Sequence, residues 1–401
     1  MDIKAIKEYL GNDWVSVQEH ITSALRSDID LLNATNNSIL SHSGKQLRPL
    51  LTVLFARACN PALAALPASS AGYAAASELL HNATLLHDDV ADDSHQRRGV
   101  PTIMSLMGPS VSVLVGDYWL VKAMELILDG SGDDTTVIRL FSRTLSDLAE
   151  GEMLQLQKAQ KGDTDEQDYL RIIYNKTGSL FVAACVSGAI SVGASEEFRD
   201  VAREYARTLG LAFQIKDDIL DYAGTESVGK PLGVDILEQK ITMPLLGAFA
   251  NAGAEEEKRI RALVRDILDH PEYRDEIVTF VKENGGLDYA VERLDEYVNQ
   301  AVKVLEVLPD SKEKELLKAN LTMEAKKNDF EPYFSSLVNF PIKFVEDNGN
   351  GEEFIGPMAL GDILPPSALL SAARNTVYAN NVWPISTMAY MAVWLWPATS
   401  A

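Results

Sequence analysis

Two short segments of this sequence concentrate aspartates at a spacing that suits metal binding. They read LLHDDVADDSHQRRGVPT, residues 85–102, and FQIKDDILDYAG, residues 213–224, and both follow apolar runs with helical spacing. Each contains the pattern DDxxD, at Asp88, Asp89 and Asp92 and again at Asp217, Asp218 and Asp221. Carboxylates four residues apart share a helix face and repel each other unless a cation lies between them. Two such faces turned towards each other predict a cage for Mg²⁺, which accepts carboxylate, water and phosphate oxygens.

A plainer interpretation of such clusters is a solvated or capping helix end, and for Asp93 and Asp218 this interpretation stays open beside the metal site. A calcium-binding loop needs alternating oxygen ligands and a central glycine, and neither cluster has them. The repetition of the pattern favours the metal site, because Arg97 and Arg98 follow the first cluster and lysines follow the second.

Cationic side chains that could bind an anion lie near the amino end. In SGKQLRP, residues 43–49, Lys45 and Arg48 are three apart, so on a first helical turn both reach the same anion. His81 precedes Asp88 by seven residues, which places it two turns away along the same helix face. The spacing alone also fits surface cations and a core histidine.

Helices must position these side chains, because helical periodicity dominates and alternating strands are scarce before residue 330. Twelve helices with short links predict an all-α bundle. We expect them at 2–40, 45–58, 70–93, 110–128, 135–160, 166–193, 196–222, 235–251, 255–269, 273–284, 287–307 and 311–328. Asp310 and Glu313 resemble a capping box for the last of them.

Composition excludes several classes of protein. A net charge of −22 over 401 residues argues against general binding to nucleic acids or anionic membranes. Cys59 and Cys185 lack metal-ligand spacing, which indicates a reducing compartment without a disulfide. The start MDIKAIKEYLGNDWV is not a signal peptide, and no run reaches the roughly 20 apolar residues of a membrane span. A cytoplasmic protein is expected.

The paired motifs resemble those of the trans-isoprenyl diphosphate synthases of the polyprenyl synthetase family. The first reads DDVAD, completed by RRGVPT at 97–102, and the second reads DDILD. The likeness runs from the amino end to about residue 318. It implies a single helical domain of the isoprenoid synthase type, which we place at 1–327. It further implies Mg²⁺-dependent condensation of isopentenyl diphosphate with an allylic diphosphate, and a homodimer.

The resemblance also assigns roles to individual residues. The metal ligands are the six aspartates of the two motifs. Isopentenyl diphosphate is assigned to Lys45, Arg48, His81 and Arg98. The allylic diphosphate is assigned to Arg97, Lys176, Thr177, Gln214, Lys230 and Lys240. The catalytic set comprises Asp88, Asp92, Asp217, Lys176 and Lys230. One departure is Gln239, because the family usually has glycine there, and this puts the placement of Lys240 in doubt.

Product length is predicted from the helix that precedes Asp88. The growing tail is expected to pass positions four, five, eight and eleven before Asp88, which are Thr84, Ala83, Leu80 and Ser77. Enzymes of this family that make farnesyl-length products usually carry Phe or Tyr at the first of these positions. Because none of the four is aromatic, a long polyprenyl product is expected, with Met124 as a candidate floor.

Two other functions stay open at this point. A class I terpene cyclase shares the fold and the first motif, but it usually replaces the second motif and lacks the isopentenyl site. A non-catalytic partner subunit of a prenyl synthase generally loses one motif, whereas both are intact here.

The segment 328–401 differs in composition from the rest of the chain. Between Phe354 and Ala401 only Asp362 and Arg374 are charged, and the same stretch holds five of the sixteen prolines and three of the five tryptophans. We expect a C-terminal extension that is dispensable for catalysis, since every residue with an assigned role precedes Thr242.

Overall fold

Helices form nearly all of the described chain. The computed structural model describes residues 3–97, 99–223 and 233–325, together with the residue pairs 345–346 and 376–377. Within these ranges the predicted all-α class is confirmed. The α-helices are α1 (Ile3–Leu10), α2 (Asn12–Ala24), α3 (Asp30–Ser41), α4 (Leu47–Cys59), α5 (Ala68–Ala91), α6 (Ile103–Met107), α7 (Pro109–Ser131), α8 (Thr136–Lys161), α9 (Glu166–Ile173), α10 (Ser179–Ser191), α11 (Glu196–Ala223), α12 (Val234–Leu237), α13 (Met243–Asn251), α14 (Ala254–Arg265), α15 (Tyr273–Glu283), α16 (Gly286–Val304) and α17 (Lys312–Ala325). A π-helix spans Tyr174–Gly178 and a 3₁₀-helix spans Leu305–Val307.

The described strands are four pairs of residues. β1 (Gln96–Arg97) pairs antiparallel with β2 (Val100–Pro101), which forms a small hairpin directly after the first aspartate motif. β3 (Val345–Glu346) pairs antiparallel with β4 (Thr376–Val377).

The chain divides into two units. All described helices belong to the first, which comprises residues 1–224 and 231–326. The second comprises 225–230 and 327–401, and within it the structure describes only β3 and β4. The predicted extension, 328–401, otherwise lies outside the described residues, and its boundary stays a prediction. No helix in the described ranges combines the length and the hydropathy that crossing a membrane requires.

Two helices, α4 and α10, form the centre of the core. Nearly every residue of both is buried, which is expected of helices that are apolar on all sides. They approach closely because Gly188 of α10 lies against the backbone of Thr52, where a Cβ would collide with the Thr52 carbonyl. Burial of this kind makes a rigid scaffold from which the ends of α5 and α11 extend.

Glycines also set the close packing of α5 against α7. A Cβ on Gly130 would lie 2.8 Å from the Tyr73 ring, and one on Gly116 would collide with the His87 ring. Because α7 has no side chain at these positions, the helix that carries the first aspartate motif lies directly against it.

Several predicted helices are divided in the structure. The expected helix at 2–40 is wrong as a single element, because it breaks at Gly11, whose φ of 51° is left-handed, and again at residues 25–29. The expected helix at 235–251 is interrupted by residues 238–242. The predicted capping box is also wrong, since the Ser311 hydroxyl, rather than Asp310, accepts from the Lys314 N–H at 3.1 Å.

Candidate active site

The first aspartate motif lies at the carboxyl end of α5. Asp88 is half-buried in the last turn, and the backbone N–H of Asp92 donates to its carbonyl at 2.8 Å. Burial, and then the nearby Glu152, raise the pKa of Asp88 to about 6. Burial, and then Glu238, also raise the pKa of Asp92. The motif therefore lies in a region of excess negative charge, which a divalent cation would offset.

The middle carboxylate of this motif is paired within the protein. Asp89 is only 4% exposed, and Arg97 on β1 donates from Nε to its Oδ1 at 2.9 Å. The Asp89 carbonyl also accepts from the Ser94 N–H at 2.8 Å. These bonds fix the β1–β2 hairpin to the end of α5. Burial and Glu152 raise the pKa of neighbouring Asp88, and the Arg97 guanidinium opposes that rise.

The second motif lies in the last two turns of α11, and its three carboxylates have different surroundings. Asp217 is exposed, whereas Asp221 is half-buried. The backbone N–H groups of Val234 and Asp235 donate to the two Asp221 oxygens, each at 3.1 Å. Burial, and then Asp235, raise the pKa of Asp221 to about 6. Asp221 thus holds the start of α12 in place.

Asp218, the third carboxylate of the second motif, is 2% exposed. Tyr169 donates from its hydroxyl to Oδ2 at 2.5 Å, and Gln214 donates from Nε2 to Oδ1 at 3.1 Å. Burial, and then Asp235, raise the pKa of Asp218 well above its ordinary value, and the two donors act in the opposite direction. Both oxygens therefore already accept a hydrogen bond from the protein.

The π-helix presents Lys176 beside the first motif. Its Nζ lies 2.5 Å from Glu152 Oε1 and donates to Gln155 Oε1 at 3.0 Å. Gly151 allows this approach of α8, since a Cβ there would lie 3.1 Å from the Lys176 backbone nitrogen. Burial and Glu152 raise the pKa of Asp88, and the Lys176 ammonium group opposes that rise. Single π-helical turns inside longer helices are often found at functional sites.

Lys240 reaches the same region from the chain that follows α12. Its Nζ lies 3.3 Å from Asp235 Oδ1 and also pairs with Glu238. Burial lowers the pKa of Lys240, but the two carboxylates outweigh burial and raise it above its ordinary value. Burial and Glu238 raise the pKa of Asp92, and Lys240 opposes that rise, so the segment after the second motif lies near the first.

The structure shows how Gln239 is accommodated at a position where the family usually has glycine. Its φ is 59°, in the left-handed region where a side chain is disfavoured and glycine is not. Its Nε2 donates to the Arg265 carbonyl at 2.6 Å, which helps to hold this backbone. Lys240 still reaches the site despite the missing glycine.

A cavity opens between α8, α9, α11 and the 239–242 segment. Polar residues from all of these elements line it, namely Gln155, Tyr169, Lys176, Gln214, Asp218 and Lys240. Among the described residues, no three His, Cys, Asp or Glu side chains are grouped closely enough to hold a metal ion by themselves. A metal bound here would therefore take part of its shell from water or substrate oxygens, as Mg²⁺ commonly does.

The residues expected to bind isopentenyl diphosphate lie around the start of α4 and on α5. Lys45 precedes α4, so the expectation that Lys45 and Arg48 share a first helical turn is wrong. Lys45 is exposed, and Arg48 is half-buried with its guanidinium 4.5 Å from the centre of the Phe181 ring. His81 is half-buried on α5, two turns before Asp88. Arg98, of the same predicted set, and Lys230, of the allylic set, lie outside the described residues.

The predicted product tunnel follows a buried face of α5. Ser77, Leu80 and Ala83 are fully buried, while Thr84 is half-buried and donates to the His81 carbonyl at 2.8 Å. Met124 on α7 is half-buried and packs against the core. The role of these residues in product length stays a prediction.

Four side chains of the site were missed by the sequence analysis. They are Glu152, Gln155, Tyr169 and Asp235. Glu152 and Gln155 are three apart on α8, and Gly151 before them marks a close helix contact, so a signal existed. Tyr169 carries no local signal, because its partner is 49 residues away along the chain.

Comparison with known proteins gives a consistent result. The family model for polyprenyl synthetase matches residues 29–281. The chain is 36% identical over 321 residues to an octaprenyl diphosphate synthase of Haemophilus influenzae, covering 79% of this chain and 94% of that protein. It is 35% identical over 314 residues to a geranyl-diphosphate-specific all-trans-nonaprenyl-diphosphate synthase of Rhodobacter capsulatus, covering 78% and 94%.

Solved structures agree with the sequence relatives. A decaprenyl diphosphate synthase from Rhodobacter capsulatus superposes with a TM-score of 0.73 at 34% identity, covering 81% of this chain and 98% of that one. A polyprenyl synthase from Caulobacter crescentus, complexed with calcium and isoprenyl diphosphate, gives a TM-score of 0.72 at 32% identity, covering 81% and 97%. With two aspartate motifs at the ends of α5 and α11 and relatives that span most of its length, the chain belongs to the polyprenyl synthetase family.

Proposed function

We propose that this enzyme condenses isopentenyl diphosphate with an allylic diphosphate, head to tail, to give a long-chain all-trans polyprenyl diphosphate. Membership of the polyprenyl synthetase family makes it a trans-prenyltransferase, and relatives named octaprenyl and nonaprenyl diphosphate synthases support a long product. The observation that carries the proposal is the position of Lys176 and Lys240. Both oppose the rise in the pKa of Asp92, so one cation from the π-helix and one from the segment after α12 lie near the first aspartate motif.

Mg²⁺ is the proposed cofactor. The six aspartates of the two motifs would hold it, and the hydrogen bonds that Asp89, Asp218 and Asp221 accept within the protein would orient those three carboxylates. The raised pKa values of Asp88 and Asp92, caused by burial and by further carboxylates, fit a site that a divalent cation neutralises. When bound, Mg²⁺ would act as a Lewis acid on the departing diphosphate.

The cationic side chains divide between two substrates. Lys176, Thr177, Gln214 and Lys240 would bind the allylic diphosphate, together with Arg97 and Lys230. Lys45, Arg48, His81 and Arg98 would bind isopentenyl diphosphate. Preorganised positive charge favours the leaving diphosphate more than the intact substrate, and this difference lowers the barrier.

The reaction needs no protein nucleophile. The allylic C–O bond breaks, and the double bond of isopentenyl diphosphate supplies the electrons for the new C–C bond. A proton then leaves, and the released diphosphate can accept it. The apolar helices around α5 would exclude water, which would otherwise quench the allylic cation.

A homodimer is proposed on the outer face of α7. Leu114, Val121 and Leu128 are 68%, 52% and 51% exposed and follow each other at intervals of seven residues, so they form one apolar stripe. Exposed apolar stripes on a stable helix usually mark an interface, and a two-fold axis would pair the stripe with its copy.

A cytoplasmic location, inferred from cysteine content, belongs to the same proposal.

One incubation tests the function. Labelled isopentenyl diphosphate is supplied with Mg²⁺ and either farnesyl or geranylgeranyl diphosphate, and the dephosphorylated products are separated by chromatography. A long polyprenol that disappears with EDTA is expected. Release of a cyclic hydrocarbon without use of isopentenyl diphosphate would identify a terpene cyclase. No turnover with either primer would indicate a non-catalytic subunit.

A further inference from the structure

A chain of three hydrogen bonds connects α9, α11 and the π-helix beside the cavity. Tyr169 donates to Asp218 Oδ2 at 2.5 Å, and Asp218 Oδ1 accepts from Gln214 Nε2 at 3.1 Å. Thr177 then donates from Oγ1 to Gln214 Oε1 at 3.2 Å. Tyr169 and Asp218 are 3% and 2% exposed, so water competes little with these bonds.

This chain of hydrogen bonds fixes the orientation of the Gln214 amide. Asp218 Oδ2 accepts from Tyr169 and Oδ1 accepts from Gln214 Nε2, so Gln214 turns its NH₂ group towards Asp218. Its carbonyl oxygen then faces the Thr177 hydroxyl. The second amide hydrogen is left for a ligand in the cavity, which Gln214 and Lys176 both line. A rotated amide would place two oxygens against each other in a buried position, which is costly.

We propose that Tyr169 is a positioning residue for the allylic diphosphate subsite, which it orders through Asp218 and Gln214. The inference rests on the proposed function and extends it to a residue to which no substrate contact has been assigned. In this arrangement the Asp218 carboxylate orients Gln214 directly, and Thr177 through Gln214.

The hydroxyl of Tyr169 matters more than its ring. A phenylalanine would fill the same volume against Ile172 and the core, but it would leave Asp218 Oδ2 without its donor. A buried carboxylate that loses one of its two partners is no longer held in one orientation, and its reorientation would release the Gln214 amide.

The test compares two buried tyrosines. Tyr169→Phe removes the donor to Asp218. Tyr205→Phe is the matched control, because Tyr205 is also fully buried and donates a single bond, at 3.0 Å, to the Leu317 carbonyl on α17. We expect Tyr169→Phe to raise the KM for the allylic diphosphate about tenfold, the effect of losing one charge-assisted bond, while the KM for isopentenyl diphosphate stays unchanged. Tyr205→Phe should change neither constant, although both variants lower the Tm.

A double-mutant cycle tests the route through Gln214. Tyr169→Phe in a Gln214→Leu background should add no further increase in the allylic KM, because the group it orders is gone. An unchanged allylic KM in Tyr169→Phe, or equal rises in both KM values, would overturn the proposal. The proposal would also be overturned if the effects of the two substitutions on the allylic KM were fully additive.

A binding measurement separates this proposal from the function on which it rests. Calorimetry with unreactive farnesyl thiolodiphosphate and Mg²⁺ needs no turnover, and Tyr169→Phe should weaken binding about tenfold relative to Tyr205→Phe. Wild-type protein that binds the analogue but condenses nothing would refute the proposed function alone. Equal affinity of the two variants would refute the role of Tyr169 alone.

Discussion

Asp88 and Asp217 are the carboxylates on which the proposed chemistry depends most. Asp88 has its pKa raised to about 6 by burial and by Glu152, and Asp217 is exposed at the end of α11. Neither position contributes to the hydrophobic core. Substitution should therefore affect the reaction rather than the fold.

We expect Asp88→Ala and Asp217→Ala each to lower kcat at least about a hundredfold, because each removes a ligand for the ion that stabilises the leaving diphosphate. Steady-state assays at saturating Mg²⁺ measure this, and circular dichroism checks the fold. Asp93→Asn is the matched control. It removes an adjacent charge, and asparagine tolerates the left-handed φ of 49° at that position. Near-wild-type turnover in either alanine variant would disprove the metal site.

Two substitutions of Gln239 test whether its backbone conformation is strained. Gln239→Ala keeps the unfavourable φ of 59° and loses the bond to the Arg265 carbonyl, so it should destabilise the protein by about 1 kcal/mol. Gln239→Gly loses the same bond but relieves the strain, so its Tm should exceed that of the alanine variant. Thermal unfolding followed by circular dichroism compares the two. An alanine variant as stable as the glycine variant would show that the conformation carries no strain.

Among the helices, α5 combines the first metal motif with the predicted product tunnel. Its buried face carries Ser77, Leu80 and Ala83, and Thr84 lies one turn before Asp88. Helix geometry places these residues in a row before Asp88. We therefore predict that product length depends on this helix and on α7, which packs against it.

Thr84→Phe is expected to shorten the product, because an aromatic ring one turn below Asp88 would block the growing tail. Chromatography of dephosphorylated products measures chain length, and Thr84→Val, which has nearly the same volume as threonine, is the control. An unchanged distribution in the phenylalanine variant would mean that the tail does not follow this face of α5.

At the scale of the whole molecule, the α7 stripe predicts the oligomeric state. Leu114→Lys combined with Val121→Lys should convert a dimer to a monomer, because it places like charges opposite each other across a two-fold axis. Sedimentation velocity measures this. Leu268→Lys is the control, since Leu268 is similarly exposed, at 67%, but belongs to the segment between α14 and α15 rather than to α7. A double variant that stays dimeric would place the interface elsewhere.

Truncation after Lys327 should retain condensation activity within about a factor of two. No residue with an assigned role is removed, so the activation free energy should change by less than roughly 0.4 kcal/mol. All residues with a proposed chemical role lie before Thr242. The same incubation as for the full chain measures activity. A truncated protein that folds as a helical dimer but makes no polyprenyl diphosphate would show that residues 328–401 belong to the active enzyme.

The sequence by itself determined the helical class, the ends of α5 and α11 and the two aspartate motifs. It could do so because these features depend on local spacing: apolar periodicity defines a helix face, and DDxxD places carboxylates on one turn. It also showed that Gln239 departs from a glycine position. Long helices defined by periodicity were predicted well, whereas the breaks at Gly11 and at 238–242 were missed.

Only the tertiary structure decided what each carboxylate is bonded to. Asp218 meets Tyr169 from 49 residues away, and Asp88 meets Glu152 of α8. Identical DDxxD spacing therefore leads to different environments. Asp89 accepts a hydrogen bond from Arg97, whereas Asp221 accepts one from the backbone at the start of α12. The physical reason is that helix geometry fixes the direction of a side chain within its own element. Burial, charge and hydrogen-bond partners come from elements that the fold brings alongside.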